Sequence, residues 1–178
     1  MTDFLYFDTD CISSFLWVHR EDILLTLFKG RIIIPQQVLN ELSSPKVPHI
    51  GKKVNDLLTN KDITVKEITL NTSEYDCYQA LTNSTQKGLK IIGNGEAAVL
   101  SLAKVNGGIV ASNNLKDIAI YVEKFNLNHT TTADILVQSF KSKLIDESCG
   151  NLIWQEMILK KRKLPADSFS NYCKQKKI

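Results

Sequence analysis

The chain has 178 residues, of which 43% are hydrophobic and 23% charged, and this globular composition excludes a disordered or fibrous protein. The length suits one domain with a sizeable core. The net charge of +3 is too small to require a nucleic-acid partner, although it permits one.

Simple sequence patterns also argue against a membrane-spanning protein and against an exported protein. No apolar run approaches the roughly 20 residues that span a bilayer, and Asp3 stands where a signal peptide would carry positive charge. We therefore expect a cytoplasmic protein with no membrane association. The cysteines and histidines are scattered, with no C-x-x-C pair, which argues against a zinc site and against a disulfide framework.

The first half of the chain alternates short apolar strands with helices. Leu5-Tyr6-Phe7 is an apolar run, and the β-branched run before Pro35 favours a second strand. Gly30 ends a helix, and the prolines at 45 and 48 mark a turn. The predicted elements are strands at 5–7 and 31–34, helices ending near 18 and at 21–28, 36–42 and 50–58, an edge strand at 63–68, and a helix from 73 to about 88.

The second half continues the alternation and then becomes helical. We predict strands at 109–111 and 128–130, with helices at 96–104, 115–125, 133–144, 147–163 and 167–176. This alternation predicts a three-layer α/β fold, with a mostly parallel sheet of about five strands and helices on both faces. We expect residues 1–178 to form a single domain, with 132–178 as a helical C-terminal extension packed on it.

Four acidic residues follow predicted strands or begin predicted helices. They are Asp8, Glu41, Glu96 and Asp117. Because ligands bind at the carboxyl ends of strands in such sheets, we expect these four side chains to converge. Clustered carboxylates repel unless a cation compensates, and Mg²⁺ or Mn²⁺ prefers oxygen ligands. The pattern predicts a metal site suited to phosphodiester hydrolysis, although each acid alone has an ordinary explanation as a cap or surface residue.

The motifs around these acids resemble those of the PIN domain family over most of the chain. Phe7-Asp8-Thr9-Asp10 is similar to the first motif, and the segment 34–42 is similar to the second, a strand and Pro followed by Val-x-x-Glu-Leu. Gly95-Glu96-Ala97-Ala98 resembles the third, and the segment 112–117 resembles a Thr-Asn-Asn-x-x-Asp variant of the fourth. Four motifs in this order make a fairly specific match.

The resemblance implies a Mg²⁺- or Mn²⁺-dependent endoribonuclease that cuts single-stranded RNA. Many relatives are VapC-like toxins of type II toxin–antitoxin modules, which often form homodimers and are held silent by a small antitoxin. It also implies roles for individual residues. Asp8, Glu41, Glu96 and Asp117 would be the catalytic metal ligands, and Ser112 and Asn114 would orient the site or the attacking water.

The chain departs from the family pattern in three places. Many relatives carry an acid where this chain has Asn113 and Asn114, so Asp117 must supply the fourth carboxylate. Asp10 is either an additional acid or a helix cap. The tail at 132–178 is longer than in the smallest toxins and resembles the helical extension of a PIN subgroup.

Basic residues near the end of the chain are candidates for contact with RNA phosphates. Lys116 and the run that includes Lys160, Lys161 and Arg162 could neutralise an RNA backbone, or the run could be a solvated helix face.

Two other functions stay open. The first is a catalytically impaired PIN-like module that binds RNA or a partner, with Asn113 and Asn114 as traces of a decayed site. The second is a phosphatase, because Asp8-Thr9-Asp10 resembles the Asp-x-Asp start of the haloacid dehalogenase-like family. That family needs a later pair of acids, and no Asp-Asp follows Asn128.

Overall fold

A five-stranded parallel sheet forms the centre of the protein. The computed structural model describes residues 3–83 and 90–178. The order across the sheet is β3-β2-β1-β4-β5, and every neighbouring pair is parallel. The strands are β1 (Leu5–Phe7), β2 (Ile32–Pro35), β3 (Thr64–Lys66), β4 (Ile109–Ala111) and β5 (Asn128–Thr130).

Helices connect the strands and cover the sheet, which confirms the predicted three-layer α/β fold. They are α1 (Thr9–Trp17), α2 (Glu21–Leu27), α3 (Gln36–Leu42), α4 (Pro48–Thr59), α5 (Ser73–Asn83), α6 (Asn94–Asn106), α7 (Leu115–Lys124), α8 (Thr132–Lys141), α9 (Glu147–Leu159) and α10 (Phe169–Gln175). The predicted extension of α5 to about residue 88 lies outside the described residues. In the described part of the chain, no helix is long and apolar enough to cross a membrane.

The core lies where the central strands meet α6. All three residues of β1 are buried, and α6 buries an almost unbroken apolar run because it packs across β1, β2 and β4. A helix that is buried on most sides carries apolar residues on most sides. For this reason the apolar residues of α6 are not confined to one face of the helix.

The carboxyl ends of the central strands are held in register at one edge. Phe7 pairs with Ala111, the backbone amide of Asp8 donates to the Ala111 carbonyl at 2.9 Å, and that of Ser112 donates to the Thr130 carbonyl at 3.0 Å. The first residues after β1 and β4 are therefore fixed beside each other. Both belong to the predicted acidic motifs.

The last three helices pack on each other, and two of them also pack on the first helix. Trp154 is fully buried, with ring centroids 6.0 Å from Phe169 and 5.5 Å from Tyr172, and α8 and α9 both contact α1. The prediction that α9 continues to residue 163 is wrong. The helix ends at Leu159, since Lys161 adopts a left-handed backbone with φ of 60° that an α-helix cannot contain.

Candidate functional site

Asp8 is a buried carboxylate that caps the first helix and also contacts a second polar side chain. It caps α1, since one of its oxygens accepts from the backbone amide of Cys11 at 2.6 Å, and its side chain is hydrogen-bonded to Ser112. Burial is the largest cause that raises the pKa of Asp8 to about 7. The negative charges of Asp10 and Glu96 also raise it, while the two hydrogen bonds lower it.

Glu41 reaches the same place from the exposed side of α3. Its carboxylate accepts a hydrogen bond from the hydroxyl of Thr9, the residue that follows Asp8. Gly95 at the start of α6 leaves room for it, because a Cβ atom there would lie 3.1 Å from Glu41 Oε1. The glycine of the third motif thus has a steric reason that sequence analysis did not identify.

Glu96 and Asp117 are held together by one amide. The Nδ2 atom of Asn114 donates to Glu96 Oε1 at 3.0 Å and to Asp117 Oδ2 at 2.9 Å. Lys90 forms an ion pair with the other oxygen of Asp117. Hydrogen bonds from Lys90 and then Asn114 lower the pKa of the Asp117 carboxyl.

Most of these acids line one small pocket. The pocket has a volume of about 150 Å³, and Asp117 lines an adjoining groove that shares Asp10, Glu96 and Arg162 with it. Among residues 3–83 and 90–178, no three acidic, histidine or cysteine side chains lie close enough to hold one ion as they stand. The pocket is lined by Asp8, Thr9, Asp10, Ser13, Glu41, Gly95, Glu96 and Arg162.

Asn113 has a structural role that its sequence position does not reveal. Its Nδ2 atom donates to Asp10 Oδ2 at 3.2 Å and to Thr132 Oγ1 at 2.8 Å, and its Oδ1 atom accepts from the Thr132 backbone amide at 2.9 Å. The whole amide is therefore used to tie the loop after β4 to the start of α8. Asn113 therefore serves as a tether, meaning a side chain whose hydrogen bonds link these two segments, at a position where the motif resemblance implies an acid.

The basic residues separate into two groups. The groove beside the acidic pocket has a volume of about 560 Å³. It is lined by Lys116, Lys161, Arg162 and Lys163. Lys160 lies apart, with its ammonium nitrogen 6.0 Å from the centre of the Trp17 ring. We therefore leave Lys160 out of the proposed RNA contacts.

Comparison with known proteins identifies the family. A family model described as PIN domain matches residues 5–176, almost the whole chain. The chain belongs to the PIN domain family. This membership removes the basis for the phosphatase alternative, whose short motif has no further support in the chain.

Two solved structures share the fold of this PIN domain. One is VapBC2 from Rickettsia felis, bound to a DNA fragment from its promoter. It matches with 23% identity and a TM-score of 0.54, over 72% of this chain and 98% of that chain. DNA-bound VapBC from Salmonella typhimurium matches with 17% identity and a TM-score of 0.53, over 74% and 99%. No curated protein matched the chain. At these identities the likeness shows the fold alone.

The acidic pocket of this PIN domain has the donor set that a hard divalent cation prefers. Among the residues that the structure describes, four carboxylates line it, those of Asp8, Asp10, Glu41 and Glu96, together with one positive charge, that of Arg162. Burial is the main reason that the pKa of Asp8 is raised, and the negative charges of Asp10 and Glu96 raise it further. Mg²⁺ or Mn²⁺ would supply the missing charge through oxygen ligands, so the chemistry of the donor set fits such an ion, and its binding would draw the carboxylates of the described residues closer together than they stand.

Asp8 predicts a characteristic pH dependence of stability in metal-free protein. Its folded-state pKa of about 7 lies above the usual 3.8, so the folded protein holds this proton more tightly than the unfolded chain does. We expect the Asp8 contribution to the free energy of unfolding to fall by roughly 2 to 4 kcal/mol as the pH rises from about 4 to about 7. Urea unfolding in EDTA across this range measures it.

The matched control for this measurement is Asp8→Asn, which cannot titrate at that position. Other groups affect both proteins, so the difference between the two curves isolates Asp8. The variant should gain stability over the wild type as the pH rises. Two parallel curves would contradict the prediction.

Proposed function

We propose that this protein is a metal-dependent endoribonuclease of the VapC kind, which hydrolyses phosphodiester bonds in single-stranded RNA. The observation that carries the proposal is the buried carboxylate of Asp8, which shares one pocket with Glu41 and Glu96 at the carboxyl edge of a PIN-family sheet. In this proposal, Asp8, Glu41, Glu96 and Asp117 are the metal ligands.

The remaining side chains orient the ligands and receive the substrate. Ser112 holds Asp8 by a hydrogen bond, and Asn114 keeps the carboxylates of Glu96 and Asp117 side by side. A Mg²⁺ or Mn²⁺ ion held by these carboxylates would supply Lewis-acid activation of water and stabilisation of negative charge on the leaving oxygen. Lys116, Lys161 and Lys163 line the adjoining groove, where they would neutralise RNA phosphates.

The likeness to two VapBC complexes supports a place for the protein in a toxin–antitoxin module. We propose that it is a cytoplasmic toxin, that a small antitoxin partner silences it, and that it forms a homodimer. We also propose that residues 1–178 form one domain with 132–178 as a packed extension. The contacts of α8 and α9 with α1 support this arrangement.

A second candidate is a binding module that no longer cuts RNA. It is favoured by one feature of the site, the ion pair that occupies an oxygen of Asp117 through Lys90. The two candidates differ in their response to metal. The nuclease would shorten an RNA only when Mg²⁺ or Mn²⁺ is present, whereas the binding module would leave the RNA length unchanged with or without the metal.

The deciding experiment is cleavage of a labelled single-stranded RNA with Mg²⁺ or Mn²⁺, beside the same reaction in EDTA and a single-stranded DNA of the same sequence. The proposal expects metal-dependent cutting of the RNA. Calorimetric titration with Mn²⁺ on the same sample supplies a second readout. Well-folded protein that neither binds Mn²⁺ nor cuts RNA would overturn the nuclease, and retained binding of the uncut RNA would then support the binding module.

Gly95→Ala is expected to lower the rate of RNA cleavage by about tenfold without loss of stability. The added methyl group would lie 3.1 Å from Glu41 Oε1 and push this carboxylate by a few tenths of an ångström, and small misplacements of catalytic groups are costly. Alanine favours the helix over glycine by roughly 0.5–1 kcal/mol, so unfolding should not become easier. Cleavage rates and urea unfolding are measured together. Unchanged cleavage would contradict the steric argument.

A further inference from the structure

Arg162 is brought to the acidic pocket by the way that α9 ends. The helix stops at Leu159, Lys161 takes a left-handed backbone, and the backbone amide of Arg162 donates to the Met157 carbonyl at 2.9 Å. The chain therefore leaves the helical path at this point. The arginine side chain points back toward α1, where it is 23% exposed.

The guanidinium stands at the junction of the pocket and the groove. Its Nη1 atom lies 3.1 Å from Asp10 Oδ1 and 3.5 Å from Ser13 Oγ. Among the lining residues that the structure describes, it is the only cation of the acidic pocket, and it also lines the groove with Lys116, Lys161 and Lys163. An RNA strand that follows the groove into the pocket must pass this side chain.

The ion pair with Asp10 is well placed to be exchanged for another anion. The Asp10 side chain is 46% exposed, and partly exposed ion pairs contribute little net stability. Asp10 also receives a hydrogen bond from Asn113 at 3.2 Å, so its carboxylate keeps a partner when the arginine leaves. Guanidinium binds phosphate through two parallel hydrogen bonds, a geometry that a carboxylate and a phosphodiester both offer.

We propose that Arg162 is a substrate-binding residue, whose guanidinium leaves Asp10 and binds the RNA phosphate at the entrance of the acidic pocket. The proposal rests on the proposed function and extends it to a residue from the C-terminal extension. Asp10 then acts as a positioning residue that keeps the guanidinium at the entrance in the absence of RNA.

The test measures binding of a fluorescent single-stranded RNA in EDTA, where no cutting occurs, at several salt concentrations. Arg162→Gln should bind about tenfold more weakly, and the slope of log affinity against log salt should become shallower by about 0.7, the value for one phosphate contact on a single strand. Arg162→Lys should keep the slope but recover only part of the affinity, because it keeps the charge and loses the paired hydrogen bonds.

The matched control is Arg31→Gln. Arg31 is half-buried and precedes β2, so it lies at the opposite edge of the sheet, where its guanidinium contacts the carbonyls of Leu27 and Asp3. It should leave both the affinity and the salt slope unchanged. Thermal unfolding of every variant separates a binding effect from a folding defect.

Each result decides between two roles. A loss of affinity with a shallower slope supports the proposal, whereas an unchanged slope for Arg162→Gln, or tighter binding because a blocking side chain is gone, would overturn it. Wild-type protein that cuts RNA while the variant keeps its slope would count against Arg162 alone. Wild-type protein that neither binds nor cuts RNA would overturn the proposed function as well.

Discussion

Asp8→Asn should lower the rate of RNA cleavage by ~1,000-fold, which corresponds to ~4 kcal/mol of lost transition-state stabilisation. Asp8 is 3% exposed and is the most deeply buried carboxylate among the described residues that line the acidic pocket. The substitution removes its charge and keeps its shape. Asparagine also caps helices well, so its side-chain oxygen should still accept the hydrogen bond that the Cys11 backbone amide donates at the start of α1. Single-turnover cleavage of a labelled RNA with Mn²⁺ measures the loss.

Asp146→Asn is the matched control for this substitution. Asp146 also caps a helix, since its Oδ1 atom accepts from the backbone amide of Cys149 at 2.7 Å at the start of α9, but it is exposed and does not line the pocket. Its variant should cut RNA within about twofold of the wild-type rate, as expected for a surface change. Activity of Asp8→Asn within tenfold of the wild type would exclude Asp8 as a metal ligand.

Trp154→Ala should lower the free energy of unfolding by roughly 3–5 kcal/mol, the usual cost of emptying a large buried aromatic site. The side chain is fully buried between Phe169 and Tyr172, and its Nε1 atom donates to the Ala166 carbonyl at 2.9 Å. Truncation leaves a cavity and an unpaired carbonyl. Urea unfolding followed by circular dichroism measures the change.

Leu152→Ala on the same helix controls for the loss of apolar side-chain atoms in α9. Leu152 is 61% exposed, so its truncation should change the stability by less than about 0.5 kcal/mol. The wild type should unfold in one transition if the C-terminal helices belong to the same domain. A small effect of Trp154→Ala, or a separate early transition, would contradict that arrangement.

The order of strands and helices could be predicted from the sequence because it depends on local chemistry. The apolar run at 5–7 and the β-branched run before Pro35 each specify a strand through side-chain alternation and backbone preference. The predicted bounds of α3, β4 and β5 agree with the structure. The predicted bounds of α8 and α9 are too long, since lysines at 143 and 161 adopt a left-handed backbone that side-chain periodicity does not reveal.

The sequence also predicted which acidic residues lie near one another, because these residues follow strands whose carboxyl ends share one edge of the sheet. Asp8, Glu41 and Glu96 do line one pocket, while Asp117 lies in the adjoining groove. Their roles as metal ligands stay a prediction. The ion pair of Asp117 with Lys90 joins residues 27 positions apart, and no spacing rule predicts it.

The sequence by itself determined the family, the fold and the small set of acids, since motif order and periodicity are properties of neighbouring residues. Only the tertiary structure decided that Asn113 is a tether, that Lys160 lies apart from the groove and that Arg162 enters the acidic pocket. The contact of Arg162 with Asp10 spans 152 positions. Such a pair depends on the packing of α9 against α1, because the chain between them sets where the two side chains meet.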